Sequence, residues 1–241
     1  MAIIEVHKAS MKFHHGQRRL LRELFTRRAT PDFYALTDVS FKVESGESIA
    51  IMGRNGAGKS TLLSLLSGLT PPSRGTVQVR GKVAALLELG SGFHPDLSGR
   101  ENVLLNAALL GFKEGPARAL IPEIVAFAEL DDFIDEPLRT YSAGMILRLA
   151  FAVAVHSEPA IVLIDEVLSV GDAAFQTKCH SRILQMKREG RTLIVVSHVS
   201  DQLSAICDRG LLLDRGRLLM DGPIVDVIEA YLIKEDAQPE G

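Results

Sequence analysis

Cysteine is scarce in this chain of 241 residues, and its two copies, Cys179 and Cys207, fall in helix-like segments without metal-type spacing. A disulfide scaffold and a cysteine-built metal centre are thereby excluded, and buried reduced thiols of a cytoplasmic protein are expected. An excess of charge of one sign is also lacking. The formal net charge is -3, so no global basic field marks nucleic acid as the main partner. No apolar run is long enough to cross a bilayer. The most apolar window, 145–164, is interrupted by Arg148, His156, Glu158 and Pro159, and reads as a helix followed by a buried strand. Met1 to Val6 lack the basic region and long apolar run of a signal peptide. What the chain does have is apolar content, at 46%, enough for a full hydrophobic core.

The most informative stretch is Gly53-Arg54-Asn55-Gly56-Ala57-Gly58-Lys59-Ser60-Thr61, which fits G-x-x-x-x-G-K-S/T. It follows a short apolar strand, 47–52, and opens a helix, 61–67, ended by Gly68, which is the context this phosphate-binding loop requires. The glycines let successive backbone N–H groups point inward as an anion nest, and the helix N-terminus adds partial positive charge. Lys59 is expected to reach β- and γ-phosphates, and the Ser60 hydroxyl to ligate Mg²⁺.

Around the loop, 3–6 and 35–43 alternate like strands of an antiparallel layer, with Val39, Phe41 and Val43 on one face. Between them, about 17–30, a basic amphipathic helix gathers Leu20, Leu21, Leu24 and Phe25 on one stripe. It is suited either to a membrane surface or partner, or to packing on its own domain with a solvated basic face. Residues 76–84 read as a strand and 86–95 as a Gly-rich loop. Ser98-Gly99-Arg100-Glu101 reads as a capping box opening a helix that stops at Gly111. The pattern then stays helical to about 154, so an α-helical lobe, about 98–155, is inserted between strands. Within it, Ser142 or a neighbour caps the apolar helix 146–155. A continuous apolar run, 160–164, ends in Asp165 and Glu166, as a strand buried on both faces does when it delivers carboxylates at the sheet's edge. Asp165 is placed to hold Mg²⁺ and Glu166 to orient or polarise the attacking water. A turn over 169–172, a helix over 173–189, and a further buried strand, 192–197, carrying His198 at its tip follow. A hairpin around Asp214-Arg215-Gly216, a helix over 224–232 and a polar tail from Glu235 end the chain.

In their order, these segments resemble the nucleotide-binding subunits of ABC transporters along nearly the whole chain. The resemblance implies an α/β P-loop NTPase of ABC type: a RecA-like mixed-sheet core, an antiparallel β layer and an inserted helical subdomain, all in one domain over 1–241. It implies that ATP and Mg²⁺ are bound, that Walker A is Gly53 to Thr61, and that Ser142, Ala143, Gly144 and Met145 form the signature. Walker B ends at Asp165 and Glu166, a D-loop ends at Asp172, and His198 is the switch histidine that contacts the γ-phosphate. The signature of one subunit then serves the ATP of another, in a head-to-tail homodimer.

Departures from the general pattern narrow the resemblance. Ser-Ala-Gly-Met stands for Ser-Gly-Gly-Gln, Glu88 lies in the loop that usually brings a Mg²⁺-contacting Gln, and Val167 replaces a Pro. These variants look like ATPases of polysaccharide exporters, which implies a multispanning permease as partner and a lipid-linked, O-antigen-like polysaccharide as cargo, with no nucleic acid. The implied location is peripheral, on the cytoplasmic face of the inner membrane. Glu88 keeps an oxygen ligand for Mg²⁺, and the 17–30 insertion resembles the gate helix of O-antigen exporters. The adenine-stacking aromatic is expected at Phe13, with Tyr34 as the alternative. No C-terminal carbohydrate-binding domain is expected. A different cargo, such as a lipid or drug, and a soluble regulatory ATPase are the competing readings.

Overall fold

The computed structural model describes residues 1–13, 33–86, 90, 92–109, 112–165, 171–197 and 199–237. The expected basic helix at 17–30 lies outside them. Strands β1 (Ala2–Phe13), β2 (Phe33–Glu44) and β4 (Arg74–Val79) form an antiparallel sheet in the order β2-β1-β4. The second sheet has the order β5-β6-β7-β3-β8-β9 and contains β3 (Ser48–Met52), β5 (Val83–Ala85), β6 (Ile161–Ile164), β7 (Thr192–Val196), β8 (Arg209–Asp214) and β9 (Arg217–Pro223). Its strands are parallel except β9, which returns antiparallel to β8.

Burial follows the sequence patterns. On β2, Val39, Phe41 and Val43 are buried while Ser40 and Lys42 between them are exposed, the alternation of a sheet with one wet face. Every residue of β3, β6 and β7 is buried, because helices or the antiparallel layer cover both faces of the parallel sheet. Helix α1 (Lys59–Leu66) packs Leu62, Leu63, Leu65 and Leu66 into the core between the two sheets. Helices α5 (Ala173–Arg188), α6 (Ser200–Ile206) and α7 (Ile224–Ala237) contribute to a second core on the opposite face. Between β5 and β6 the chain leaves the sheet to build α2 (Gly99–Leu109), α3 (Glu114–Ala128) and α4 (Ala143–His156), whose apolar residues form a third core of their own.

Several boundaries differ from expectation. The strand expected over 76–84 is two strands in different sheets, because the chain breaks at Gly81. There φ is +118°, and a Cβ would come within 2.9 Å of the Ala160 side chain. The Lys82 carbonyl then accepts from the amides of Ala160 and Ile161, which sets β5 beside β6. Helix α6 has only seven residues, too few to show a period, and Cys207 lies just beyond its end rather than inside a helix. Both thiols are buried and unpaired, and burial pushes each up to about 12. Helix α4 begins at Ala143 and α7 continues to Ala237, each longer than the apolar pattern alone suggests.

The capping box forms as expected. Ser98 Oγ accepts from the Glu101 amide at 3.2 Å, and Glu101 Oε2 accepts from the Ser98 amide at 2.8 Å. One residue on, fully buried Asn102 ties the preceding loop to α2. Its Oδ1 accepts from the His94 amide at 2.6 Å, and its Nδ2 donates to the carbonyls of His94, Leu97 and Ser98. Asn102→Ala leaves the His94 amide without its acceptor, while the carbonyls of His94, Leu97 and Ser98 keep backbone donors, so it is expected to cost about 1 kcal/mol. Urea unfolding of the variant checks this; an unchanged midpoint would show the loop is held by other contacts.

Candidate functional site

The G-x-x-x-x-G-K-S loop lies between the C-terminal edge of β3 and α1, so its position is fixed by a strand buried on both faces. Gly58 is the N-cap of α1 and has no side chain to accept from the first-turn amides, and no acidic residue occupies that turn. The positive end of the helix is therefore open to an external anion. Gly58 has φ of +105°, and a Cβ there would meet the Ala35 carbonyl oxygen at 2.6 Å and Leu36 Cδ2 at 2.8 Å. Backbone from the antiparallel sheet thus presses directly on the loop. Lys59 Nζ donates to the Gly53 carbonyl at 2.6 Å and the Arg54 carbonyl at 3.2 Å, which folds the ammonium over the nest.

A cavity of about 340 Å³ opens over this loop, lined by Asn55 through Thr61, by Asp165, and by Phe13, Phe33 and Ala35. The sheet order explains the meeting of loop and acid: β7 alone separates β3 from β6, and parallel strands end on the same edge. Of the sequence-predicted residues, the structure brings Phe13, Asn55, Gly56, Ala57, Gly58, Lys59, Ser60, Thr61 and Asp165 together here. Gly53 and Arg54 contribute through the carbonyls that hold Lys59. Glu88, Glu166 and His198 lie outside the described residues.

Phe33, which sequence reasoning did not single out, also lines the cavity, whereas Tyr34 is not among its lining residues. Strand alternation sends Phe33 and Ala35 to one face of β2 and Tyr34 to the other. Phe33 stands opposite Phe13 in the β1–β2 register, while Tyr34 faces Lys12. Both phenylalanines are exposed, at 45% for Phe13 and 53% for Phe33, unusual for aromatics with no apolar work to do. Two adjacent aromatic faces at the lip of a phosphate-binding cavity offer a stacking platform for a planar base. The Phe–Tyr pair at 33 and 34 was a usable signal once the pairing of the two strands was known.

Ser60 and Asp165 supply a hydroxyl and a carboxylate in the same cavity, the hard oxygen donors that Mg²⁺ takes. Among the described residues no group of three or more His, Cys, Asp or Glu side chains could hold a metal, so such a cation would complete its shell with nucleotide oxygens and water.

The second helix start lies outside this cavity. Ser142 caps α4 by accepting from the Met145 amide at 3.2 Å, and both Ser142 and Ala143 are exposed. A Cβ on Gly144 would touch only Ser142 Oγ, at 3.8 Å. The start of α4 is thus a smooth, uncrowded patch with no acid in its first turn. Asp172 also stays out of the cavity. It caps α5 by accepting from the Phe175 amide at 2.9 Å, and its second oxygen accepts from Arg148, itself paired with Glu129 at 3.0 Å. The Phe175 amide, with help from the Arg148 charge, holds the Asp172 carboxyl below its ordinary range.

Residues 36–169 match the family described as ABC transporter. The "O-antigen export system ATP-binding protein RfbB" of Klebsiella pneumoniae is 49% identical over 83% of this chain and 81% of that protein. The "Teichoic acids export ATP-binding protein TagH" of Bacillus anthracis is 40% identical over 88% of this chain, which spans 38% of that protein. Among solved structures, a dimeric post-hydrolysis state of the ATP-binding cassette MJ0796 bound to ADP and Pi superposes with a TM-score of 0.74, covering 92% of this chain and 98% of that one at 22% identity.

Proposed function

Because this chain belongs to the ABC transporter family, we propose that it is the ATP-hydrolysing subunit of an exporter that moves a lipid-linked, O-antigen-like polysaccharide across the inner membrane. The 49% identity to an O-antigen export ATP-binding protein is the observation that carries the cargo. The chemistry rests on the cavity itself. Asn55 to Thr61 cradle the phosphates through backbone amides, Lys59 exchanges its carbonyl partners for β- and γ-phosphate oxygens, and Phe13 with Phe33 stacks the base.

Ser60 and Asp165, with Glu88, would hold Mg²⁺, which when bound neutralises charge on the phosphates. Glu166 orients the water that attacks the γ-phosphate, and His198 contacts the transferred phosphoryl group. The exposed start of α4, Ser142 to Met145, together with Asp172, serves the ATP of a second copy, so the working unit is a homodimer with nucleotide between its subunits. A chain divided in this way hydrolyses slowly alone, since half of each site arrives with the partner. The passage itself is formed by a multispanning permease, a reading supported by the export-system names of the relatives. The chain then sits peripherally on the cytoplasmic side, with the basic 17–30 segment facing anionic headgroups or glycan.

Base stacking has its own test. Phe13→Ala and Phe33→Ala are each expected to weaken ATP binding by about 1 kcal/mol, roughly fivefold. Titration with a fluorescent ATP analogue reads this out, and unchanged affinity in both variants would remove the platform. The function as a whole is tested by affinity purification from detergent-solubilised native membranes. A stoichiometric multispanning protein, encoded beside glycan-synthesis enzymes, is the expected result; recovery with ribosomes or nucleic acid alone would overturn the transport reading.

A further inference from the structure

On the nucleotide reading of the cavity, we propose that Gly216, at the tip of the β8–β9 hairpin, is a positioning residue: its turn locks the strand that carries Phe33 to the loop that holds the phosphates. The hairpin is tight, with Asp214 paired to Arg217 and only Arg215 and Gly216 between them. Both of these have positive φ, +45° and +77°, the sense that matches the twist of the flanking strands. Such a turn closes a hairpin by itself and ordinarily stands in solvent. Gly216 is buried instead.

Both of its backbone polar groups are spent on the site. Its amide donates to the carbonyl of Ala57, in the phosphate loop, at 3.0 Å, and its carbonyl accepts from the amide of Thr37, in β2, at 2.8 Å. Ala57, Ala35 and Phe33 all line the nucleotide cavity. The Ala35 carbonyl oxygen sits in a notch between two glycines. A Cβ on Gly216 would lie 2.7 Å from it, and one on Gly58, on the loop side, 2.6 Å. The same Gly216 Cβ would come within 3.2 Å of Leu36 Cα, so backbone rather than a flexible side chain stands in the way. An ion pair of 2.7 Å between Asp214 and Lys234 of α7 holds the hairpin where it is.

Loop, turn and β2 therefore meet at one buried glycine, and that meeting sets the span between the phosphate nest and the Phe13–Phe33 platform. A nucleotide has a fixed length, so its base adds to the affinity of its phosphates only when the span matches. In Gly216→Ala the strand has Gly58 behind it, and the displaced turn is the one that anchors Thr37, so β2 lifts away from the loop. The loop keeps its own bonds, from the Ala57 amide to the Arg54 carbonyl and from Lys59 to the Gly53 carbonyl.

ADP and inorganic pyrophosphate carry the same two phosphoryl groups and differ by the adenosine, so calorimetric titration of both into the whole chain reads the span. Gly216→Ala should bind ADP about tenfold more weakly and pyrophosphate within about twofold of the parent. Thr37→Pro removes the amide that bonds to Gly216, on a strand at the sheet's edge, and leaves the turn untouched. It should lose about threefold for ADP and nothing for pyrophosphate, and it carries the test if Gly216→Ala does not fold. Gly190→Ala is the matched control: φ is again +77°, but nothing lies within 4 Å of the added carbon, so both affinities should stay unchanged. Parallel losses of the two ligands, ADP affinity unchanged in the variants that fold, or an equal loss in Gly190→Ala would overturn the role of Gly216. A parent protein that binds pyrophosphate as tightly as ADP would overturn the base platform as well, which separates the two failures.

Discussion

Glu166→Gln should bind ATP about as tightly as the parent protein and turn it over ~10²–10⁴-fold more slowly. The substitution keeps the size and hydrogen-bonding shape of the side chain while removing the carboxylate that polarises water. In the proposed function affinity comes from elsewhere: the amides of Asn55 to Thr61, Lys59 and the Phe13–Phe33 pair, which line the cavity. A variant that binds but does not hydrolyse should also accumulate as an ATP-bound dimer, since the γ-phosphate proposed to join the two subunits is never lost. Single-turnover hydrolysis and gel filtration with ATP measure the two effects. Rapid hydrolysis would remove Glu166 from the chemistry, and a monomer in saturating ATP would remove the shared site.

Gly58→Ala is expected to weaken ATP binding by about 3 kcal/mol, on the order of a hundredfold. The new Cβ would meet the Ala35 carbonyl oxygen at 2.6 Å, in a conformation with φ of +105°. Relief requires moving either the loop or β2, and β2 is anchored by its register with β1 and by the bond from the Thr37 amide to the Gly216 carbonyl, at 2.8 Å. The loop therefore yields, and the nest of amides opens. Gly56→Ala is the matched control. It has φ of +77° but nothing within 4 Å of the added carbon, so it carries strain without collision and should cost less. Equal losses at the two positions would mean that backbone conformation alone, not pressure from β2, shapes the loop.

Legibility in the sequence tracked how local the determining physics was. The phosphate loop, the Ser98–Glu101 capping box, the Ser142 cap and the buried strand ending at Asp165 are set by neighbours within a few residues, and each lies where its pattern placed it. The pairing of Phe13 with Phe33 was hidden because it joins strands twenty residues apart, and choosing Phe33 over Tyr34 needs the register rather than composition. The split of β4 from β5 was hidden because the segment has strand character throughout, and only contact with Ala160 and Ile161 decides which sheet each half joins. The roles of Asp172 and Arg148 were likewise invisible, since their bond links the first half of α4, in the inserted lobe, to the start of α5. Sequence alone offers no sign that a distant arginine will occupy an aspartate.

Vectorial transport is the most direct test of the account. The chain, co-purified with its permease, would be reconstituted into proteoliposomes with ATP and a radiolabelled lipid-linked glycan outside. ATP-dependent protection of the glycan inside the vesicles is expected, lost with Lys59→Ala and with Glu166→Gln. ATP hydrolysis that leaves the glycan outside, or protection that is the same without ATP, would contradict it.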